Sequence, residues 1–545
     1  MSENAAVRTN VVSDIFQLGV STYKKNALGC LPPYLAALHQ DGHFHIHDLE
    51  FYGTLYNCSI PLLENYIDTT QFLSFSPAFR IVAVFDKIKE LIVKLAMCQS
   101  GGIGFANFDT DISLFLQHLK IAFSESNIAY LSETIKLFIQ WVNTTSTRYC
   151  REPYYLSFNL GLDTSDWGRI ITKCMLNAFE QLPTYWTRPN IIFKVKSGIN
   201  REPYSPNYDI FQQALACTAR RMIPTYLLLD SSVNRNTAPF RLAVMGCRTR
   251  VYQNVSNEET SLGRGNLAYV SLNLPRLALE NQTIERFYNA LENLLRNASD
   301  VLKHRTELLQ NSSGFQFVLQ NRLWNVGSTD EFIKRGTLSI GFIGLAETVE
   351  ILTGVKMQQD ISAFALAVSI VSRMRHFVDE LRKTEQRNYS LIATSGEMIS
   401  GRFCRIDKAI IPHPVHEKGF YTNSFHYEVD SRVSLFEKLH GEGQFHCLCN
   451  GGCISYIEFQ SAPLDNILAL EDAINFGTEQ GISYLGFNYP LDICRNCGTS
   501  GTFEICPACN SSEIQRIRRV SGYLEDFDYF TEGKRNEIAK RQANI

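Results

Sequence analysis

Apolar positions recur at helical spacing in three long stretches: RIVAVFDKIKELIVKLAMCQ (80–99), TIERFYNALENLLRNASDVLKHR (283–305) and ISAFALAVSIVSRMRHFVDELRK (361–383). Spacing of i, i+3, i+4 and i+7 lines one face of a helix, so each stretch predicts an amphipathic helix. Elsewhere the pattern shifts to short runs rich in β-branched and aromatic residues. These are YYLSFNL (154–160), NIIFKVKS (190–197), LAYVSLNL (267–274), TLSIGFIG (337–344), CISYIEF (453–459) and ISYLGFN (482–488), and they predict strands. Strands alternating with long helices predict an α/β architecture with parallel pairing. Several of the runs are almost continuously apolar, as in strands covered on both faces. The pattern breaks at about residue 491, where Cys, Gly and polar residues take over. That divides the chain into a large α/β part, 1–490, and a small segment, 491–545.

Composition narrows the function classes. Of 545 residues, 45% are hydrophobic and 20% charged, ordinary for a globular protein. The net charge of −3 argues against a nucleic-acid binder, which carries a basic excess. No run of about 18 apolar residues predicts a membrane span. The start, MSENAAVRTN, lacks the basic stretch and apolar core of a secretion signal. Fifteen cysteines in such a chain point to a reducing cytoplasm, with metal-binding or catalytic thiols among them.

Four of those thiols stand in CRNCGTSGTFEICPACN, as Cys494, Cys497, Cys506 and Cys509. Two Cys-x-x-Cys pairs form two tight knuckles, and four thiolates suit tetrahedral zinc. The alternative is a redox dithiol pair, but no thioredoxin-like setting surrounds them. A structural ion would lock this core-poor segment and fix where residues 510–530 emerge. Just beyond lies RRVSGYL (518–524), where Gly522 is flanked by residues that favour burial although the chain is ending.

RRVSGYL following a four-cysteine site resembles the radical loop of the anaerobic (class III) ribonucleoside-triphosphate reductases, a glycyl radical enzyme family. Similar segments occur in family order from about residue 10 onward: HFHIHDLEFY (43–52), LYNCSIPLL (55–63), QSGGIGFANFD (99–109), MGCRT (245–249), GRGNLAYVSLNLPRLAL (263–279), SLIATSGEMISGRF (390–403), GFYTNSFH (419–426) and GGCISYIEF (451–459). The resemblance implies a ten-stranded α/β barrel carrying a small C-terminal zinc-binding and radical-loop segment. It begins so early in the chain that no ATP-cone is expected in front.

By the same resemblance Gly522 is the radical site. Glycine suits it physically, since its α-carbon radical flattens and delocalises over both amides with no side chain in the way. Cys247 is the implied relay, giving a hydrogen atom to Gly522 and then, as a thiyl radical, attacking the ribose C3′–H. That transfer needs a thiol rather than a thiolate, and the apolar FRLAVMG ahead of it favours the protonated form. Cys58 matches the second active-site cysteine. Glu397 matches the glutamate implied to handle the 3′-hydroxyl proton, although Ser395-Gly396 stand where relatives commonly carry Pro-Ala. Asn266 replaces the additional cysteine of thioredoxin-dependent members, which implies formate as reductant. A radical-SAM, iron–sulfur activase and a homodimer are the implied partners, with ribonucleoside triphosphates as substrates. Two other readings stay open: a glycyl radical enzyme of another substrate class, and a non-catalytic zinc and nucleotide-binding regulator.

Other signals carry less. His43, His45 and His47 alternate and could share one strand face, but the resemblance implies a wall role rather than a metal. Cys447, Cys449 and Cys453 cluster without an assigned activity. GRGN lacks the third glycine of a dinucleotide fingerprint. The triphosphate is expected at backbone amides of a helix start, such as the QSGGIG turn.

Overall fold

The computed structural model describes residues 11–147, 153–256, 258–312, 317–520 and 522–544; the opening MSENAAVRTN lies outside them. A central sheet takes its strands from along most of the chain: β1 (Cys58–Ile60), β2 (Ile103–Phe105), β3 (Leu156–Leu160), β4 (Asn190–Val195), β5 (Thr225–Leu228), β6 (Arg264–Asn273), β7 (Thr337–Ile343), β8 (Asn388–Ala393), β9 (Ser455–Glu458) and β10 (Tyr484–Asn488). They lie in the order β8-β7-β6-β1-β2-β3-β4-β5-β10-β9, and a further strand, Phe44–Ile46, pairs with β6 off this path.

Neighbours within β1–β5 run parallel, as do β6–β8 and β9–β10. At two seams, β1 against β6 and β5 against β10, pairing is antiparallel. The expectation of parallel pairing therefore holds inside each half and fails where the halves meet, because periodicity does not say which strand lies beside which. Past the end of the path, Ile392 of β8 bridges Gly452 in parallel, and the Gly451 N–H donates to the Leu391 carbonyl at 2.8 Å. The sheet thereby closes on itself around an interior.

The three predicted helices form, as Pro77–Cys98, Ile284–Asn311 and Ile361–Glu385. They cover the outer face, and strand residues such as Phe158, Ile191, Val270 and Ile340 are buried between helices and interior. Helix Ile361–Glu385 is long and apolar enough to cross a bilayer by length and composition. Here it packs along β8, burying Ala367, Ile370, Val371 and Met374 on one side.

Beyond residue 490 a second, antiparallel sheet forms from β11 (Leu491–Cys494), β12 (Ser500–Gly501), β13 (Ile514–Val520) and β14 (Tyr523–Asp526), in the order β12-β11-β13-β14. A last helix, Glu532–Lys540, packs against helix Ile399–Ile410.

Candidate active site

Cys247 rides on a hairpin inside the closed sheet. Val244 pairs with Arg250 and Met245 with Thr249, leaving Gly246-Cys247-Arg248 as the tip. Gly246 takes φ +61, a left-handed geometry that glycine adopts without a β-carbon clash. Barrel strands hold the hairpin: Asn159 Nδ2 donates to the Val244 carbonyl (2.9 Å), and Ser157 Oγ to the Gly246 carbonyl (3.0 Å).

The QSGGIG turn has a different use from the one expected. It follows the end of helix Pro77–Cys98 and enters β2, so it is not a helix start. Its amides are already committed, Ser100 to the Tyr56 carbonyl, Gly101 to the Asn57 carbonyl and Gly102 to Cys58 Sγ. What its glycines supply is room. A β-carbon at Gly102 would sit 2.9 Å from the Gly246 α-carbon, and one at Gly104 would sit 2.7 Å from the Met245 β-carbon.

Gly522 reaches the same point from the tail. Val520 of β13 pairs with Tyr523 of β14, so the chain reverses between them; Ser521 lies outside the described residues. Gly522 has φ +122, and a β-carbon added to it would lie 2.5 Å from the Cys247 β-carbon. The two backbones thus touch tip to tip, with the Gly522 α-carbon within about 4 Å of the Cys247 β-carbon, given a carbon–carbon bond of about 1.5 Å. Arg519, buried, donates to the Gly522 carbonyl at 2.7 Å and also to the Met222 carbonyl. Arg188 and Glu525 form a buried ion pair at 2.6 Å, and Thr187 Oγ1 donates to the Leu524 carbonyl.

A cavity of about 100 Å³ lies beside this contact, lined among others by Cys58, Cys247, Glu397, Tyr523, His47 and Met398. Burial pushes the Cys247 thiol up to about 11, the Glu397 carboxylate adds to this, and the Arg248 guanidinium offsets it only in part. Cys247 therefore remains a thiol at neutral pH, as hydrogen-atom donation requires. Its sulfur lies 3.9 Å from Glu397 Oε1. Burial likewise pushes the Cys58 thiol well above its usual range, against the Gly102 N–H that points at it from 3.2 Å. Space for that sulfur comes from Gly101, where a β-carbon would meet Cys58 Sγ at 2.6 Å.

Ser395-Gly396 proves to be a fixed turn. Gly396 has φ +55, and a β-carbon there would fall 1.9 Å from Asn423 Oδ1. That oxygen accepts from the buried Lys534 Nζ (3.3 Å), which also bonds Glu537. The last helix thus backs the turn that carries Glu397.

Asn266 is brought level with Cys58 across the β1–β6 seam but does not line the cavity. Its Nδ2 donates to the Thr337 carbonyl (3.2 Å) and Ser339 Oγ (2.7 Å), while its Oδ1 is buried without a hydrogen-bond partner. The histidines separate: His43 pairs with Glu280 at 3.1 Å, whereas His47 bonds Ser271 Oγ at 2.8 Å and stands in the cavity wall.

In the tail, one ligand sulfur from each of Cys494, Cys497, Cys506 and Cys509 lies within 4.8 Å of all the others, so the set could hold a metal ion. Sulfur separations of 3.4 Å (Cys494–Cys509) and 3.5 Å (Cys497–Cys506) exceed a disulfide bond of about 2.0 Å and suit edges of one thiolate tetrahedron.

The sequence reading passed over several contributors. Tyr523 lines the cavity with a buried hydroxyl that has no hydrogen-bond partner among the described residues, its ring edge-on to Tyr155 at 5.0 Å. Asn423, Lys534 and the Arg188–Glu525 pair act through contacts distant in sequence, which no local pattern reveals.

The model of the family described as anaerobic ribonucleoside-triphosphate reductase matches residues 3–543. The chain is 32% identical to the anaerobic ribonucleoside-triphosphate reductase of Escherichia coli (strain K12), over 94% of this chain and 79% of that one. With the enzyme of the same name from Enterobacteria phage T4 it shares 26% identity, over 99% of this chain and 96% of the other. Its fold is similar to the anaerobic ribonucleotide reductase of Thermotoga maritima in complex with dATP and CTP, with a TM-score of 0.75, 15% identity, and coverage of 98% and 92%. A matching family model over nearly the whole length, with a glycine and a thiol apposed inside a closed sheet, places this chain in the anaerobic ribonucleoside-triphosphate reductase family.

Proposed function

We propose that the chain reduces ribonucleoside triphosphates to 2′-deoxyribonucleoside triphosphates, with Gly522 as the radical site and Cys247 as its relay. The observation that carries this reading is the tip-to-tip contact of the two hairpins, where a β-carbon at Gly522 would collide with Cys247. Cys247, kept as a thiol, gives its hydrogen atom to the Gly522 α-carbon and then takes the ribose C3′ hydrogen; such a transfer needs reacting atoms about 3–3.5 Å apart. Glu397, 3.9 Å from the Cys247 sulfur, accepts the 3′-hydroxyl proton. The 2′-hydroxyl leaves as water, and Cys58 returns a hydrogen atom at C2′. Formate closes the balance: ribonucleotide, formate and a proton become deoxyribonucleotide, carbon dioxide and water.

Formate is favoured because Asn266, and not another thiol, stands opposite Cys58. At about 100 Å³ the cavity is smaller than the about 300–1,000 Å³ of ordinary ligand sites. It therefore takes the sugar, while the base and triphosphate occupy its mouth. Helix Ile399–Ile410 starts at the cavity, with Met398 and Ile399 in the lining, and its first N–H groups, without a side-chain cap among the described residues, suit phosphate. We assign residues 1–490 to the catalytic barrel and 491–545 to a zinc-binding and radical-loop segment. Zinc on the four cysteines would supply a rigid crosslink to the tail. A radical-SAM activase, a homodimeric state and a cytoplasmic setting complete the reading.

The test is anaerobic activation followed by turnover of a ribonucleoside triphosphate with ¹³C-formate. Deoxyribonucleotide and ¹³CO₂ in equal amounts are expected. A sample with a full radical signal and no deoxyribonucleotide would refute the reductase reading. Deoxyribonucleotide formed with a dithiol and no formate would refute the formate assignment alone.

A further inference from the structure

A second cavity, of about 230 Å³, is lined by Arg250 at the root of the Cys247 hairpin and shares no lining residue with the first. Arg250, Arg375, Tyr252, Glu259, Cys447 and Asn450 are in its wall. Arg250 is the feature that demands an explanation. It is 8% exposed, yet its guanidinium makes no hydrogen bond or ion pair among the described residues, and its Nε is fully buried without a partner. Its guanidinium stands over the face of Tyr252, 5.4 Å away. A guanidinium held mostly out of water without a counter-charge is unfavourable unless an anion joins it. Burial indeed pushes Arg250 below its usual range, and the surrounding Cys453, Tyr252 and Glu259 do not restore it.

Arg375 adds a second positive charge. Its Nε bonds Asp379 at 2.8 Å and its Nη1 bonds the carbonyls of Cys447 and Leu448, leaving Nη2 without a bond among the described residues. The single carboxylate of the lining, Glu259, is exposed and forms no ion pair with Arg250. Two guanidiniums at one cavity, one of them without an ion-pair partner among the described residues, match a doubly charged oxyanion that can accept from planar donors.

We propose that this cavity binds a phosphate group on Arg250 and Arg375, either as the free ion or as the phosphoryl end of a nucleotide. Occupancy would act on the relay thiol, because Arg250 is the residue paired with Val244 at the root of the Cys247 hairpin, and its N–H donates to the Gly451 carbonyl at 2.8 Å. A phosphate there would neutralise the buried charge and stiffen that root.

Cys447 offers a reporter that does not depend on the radical chemistry, since it is exposed and lines this cavity and not the active site. Its alkylation by N-ethylmaleimide, followed by peptide mass spectrometry on the full chain, is expected to slow severalfold in millimolar phosphate. The exposed Cys30, elsewhere on the molecule, should be unaffected. Protection by inorganic phosphate identifies the free ion as sufficient; protection by ATP alone identifies a nucleotide. Arg250→Gln should abolish the protection, and Glu259→Gln, at an exposed position, should shift it to lower ligand concentration. Equal alkylation with and without both ligands, or protection retained in Arg250→Gln, would overturn the proposal. Should Arg250→Gln fail to fold, an unchanged ligand dependence in Glu259→Gln would overturn it equally.

Discussion

Two hairpins meet at the centre of this molecule, and they are held in opposite ways. The Cys247 hairpin is enclosed by barrel strands, with Asn159 and Ser157 bonded to its backbone and glycines at 102 and 104 cleared to admit it. The Gly522 hairpin belongs to a small sheet of its own and is pinned by charge: Arg519 on the Gly522 carbonyl, Arg188 on Glu525, and Arg541 Nη1 on the Arg519 carbonyl at 3.0 Å. A thiol placed by packing is fixed once the barrel folds. A glycine placed by ion pairs and a separate four-cysteine segment should be releasable without unfolding the barrel. That difference sets a buried thiol against a glycine carried on a separate small sheet.

Changes at the contact itself should have the largest effects. Gly522→Ala puts a methyl group 2.5 Å from the Cys247 β-carbon at a φ of +122, so both the radical and turnover should be lost completely. Cys247→Ser keeps the shape but removes the weak S–H bond. Paramagnetic resonance should then still show the glycyl signal while deoxyribonucleotide formation falls to background.

Changes to the tail alone should come next. If zinc fills the four-cysteine site, chelating it, or Cys506→Ser, should free the radical hairpin to proteases while the barrel's melting transition stays in place, since structural zinc supplies about 10–16 kcal/mol to small sites. Arg188→Met strands the Glu525 carboxylate in a buried place, an effect of about 3–5 kcal/mol. Hydrogen exchange should rise in residues 514–526 and hardly at all in β1–β5.

The smallest effects concern pH. With the Cys247 thiol pushed up to about 11, the pH–rate profile should show no alkaline limb from this group below about pH 10. Burial would raise the Glu537 carboxyl, but Lys534 and Arg541 overcome it and hold it down at about 2. A carboxyl depressed in the fold stabilises above its unfolded value, near 4.5, and loses that contribution as pH falls toward 2. The last helix should therefore stay docked at pH 5 and become protease-sensitive only in stronger acid.

The sequence revealed the long elements well and their arrangement poorly. The three amphipathic helices and six apolar strands stand at their expected places because each is long enough to show a period. Strands β1 and β2 have three residues each, too few to alternate visibly, and β8 was noticed only as part of SLIATSGE. Gly522, Cys247, Cys58 and Glu397 were legible through their surroundings in the chain, and the structure brings them to one place. Asn266 was legible too, but its amide turns into the β6–β7 pairing, a choice set by Ser339 some seventy residues away. The role of QSGGIG was misread because glycine-rich turns serve close approach as readily as phosphate, and only the partner backbone tells them apart. Lys534 gave no local signal at all, and Asn423, although inside GFYTNSFH, gave no sign of its contact with Lys534.

The most direct test of the apposition of Gly522 and Cys247 is to activate the protein without oxygen, record its paramagnetic resonance, and then admit air. The expected result is a glycyl doublet that vanishes as the chain is cut at residue 522, with Cys247→Ser giving the same doublet and cut. A radical on another residue, or an intact chain after a confirmed glycyl signal, would contradict the account.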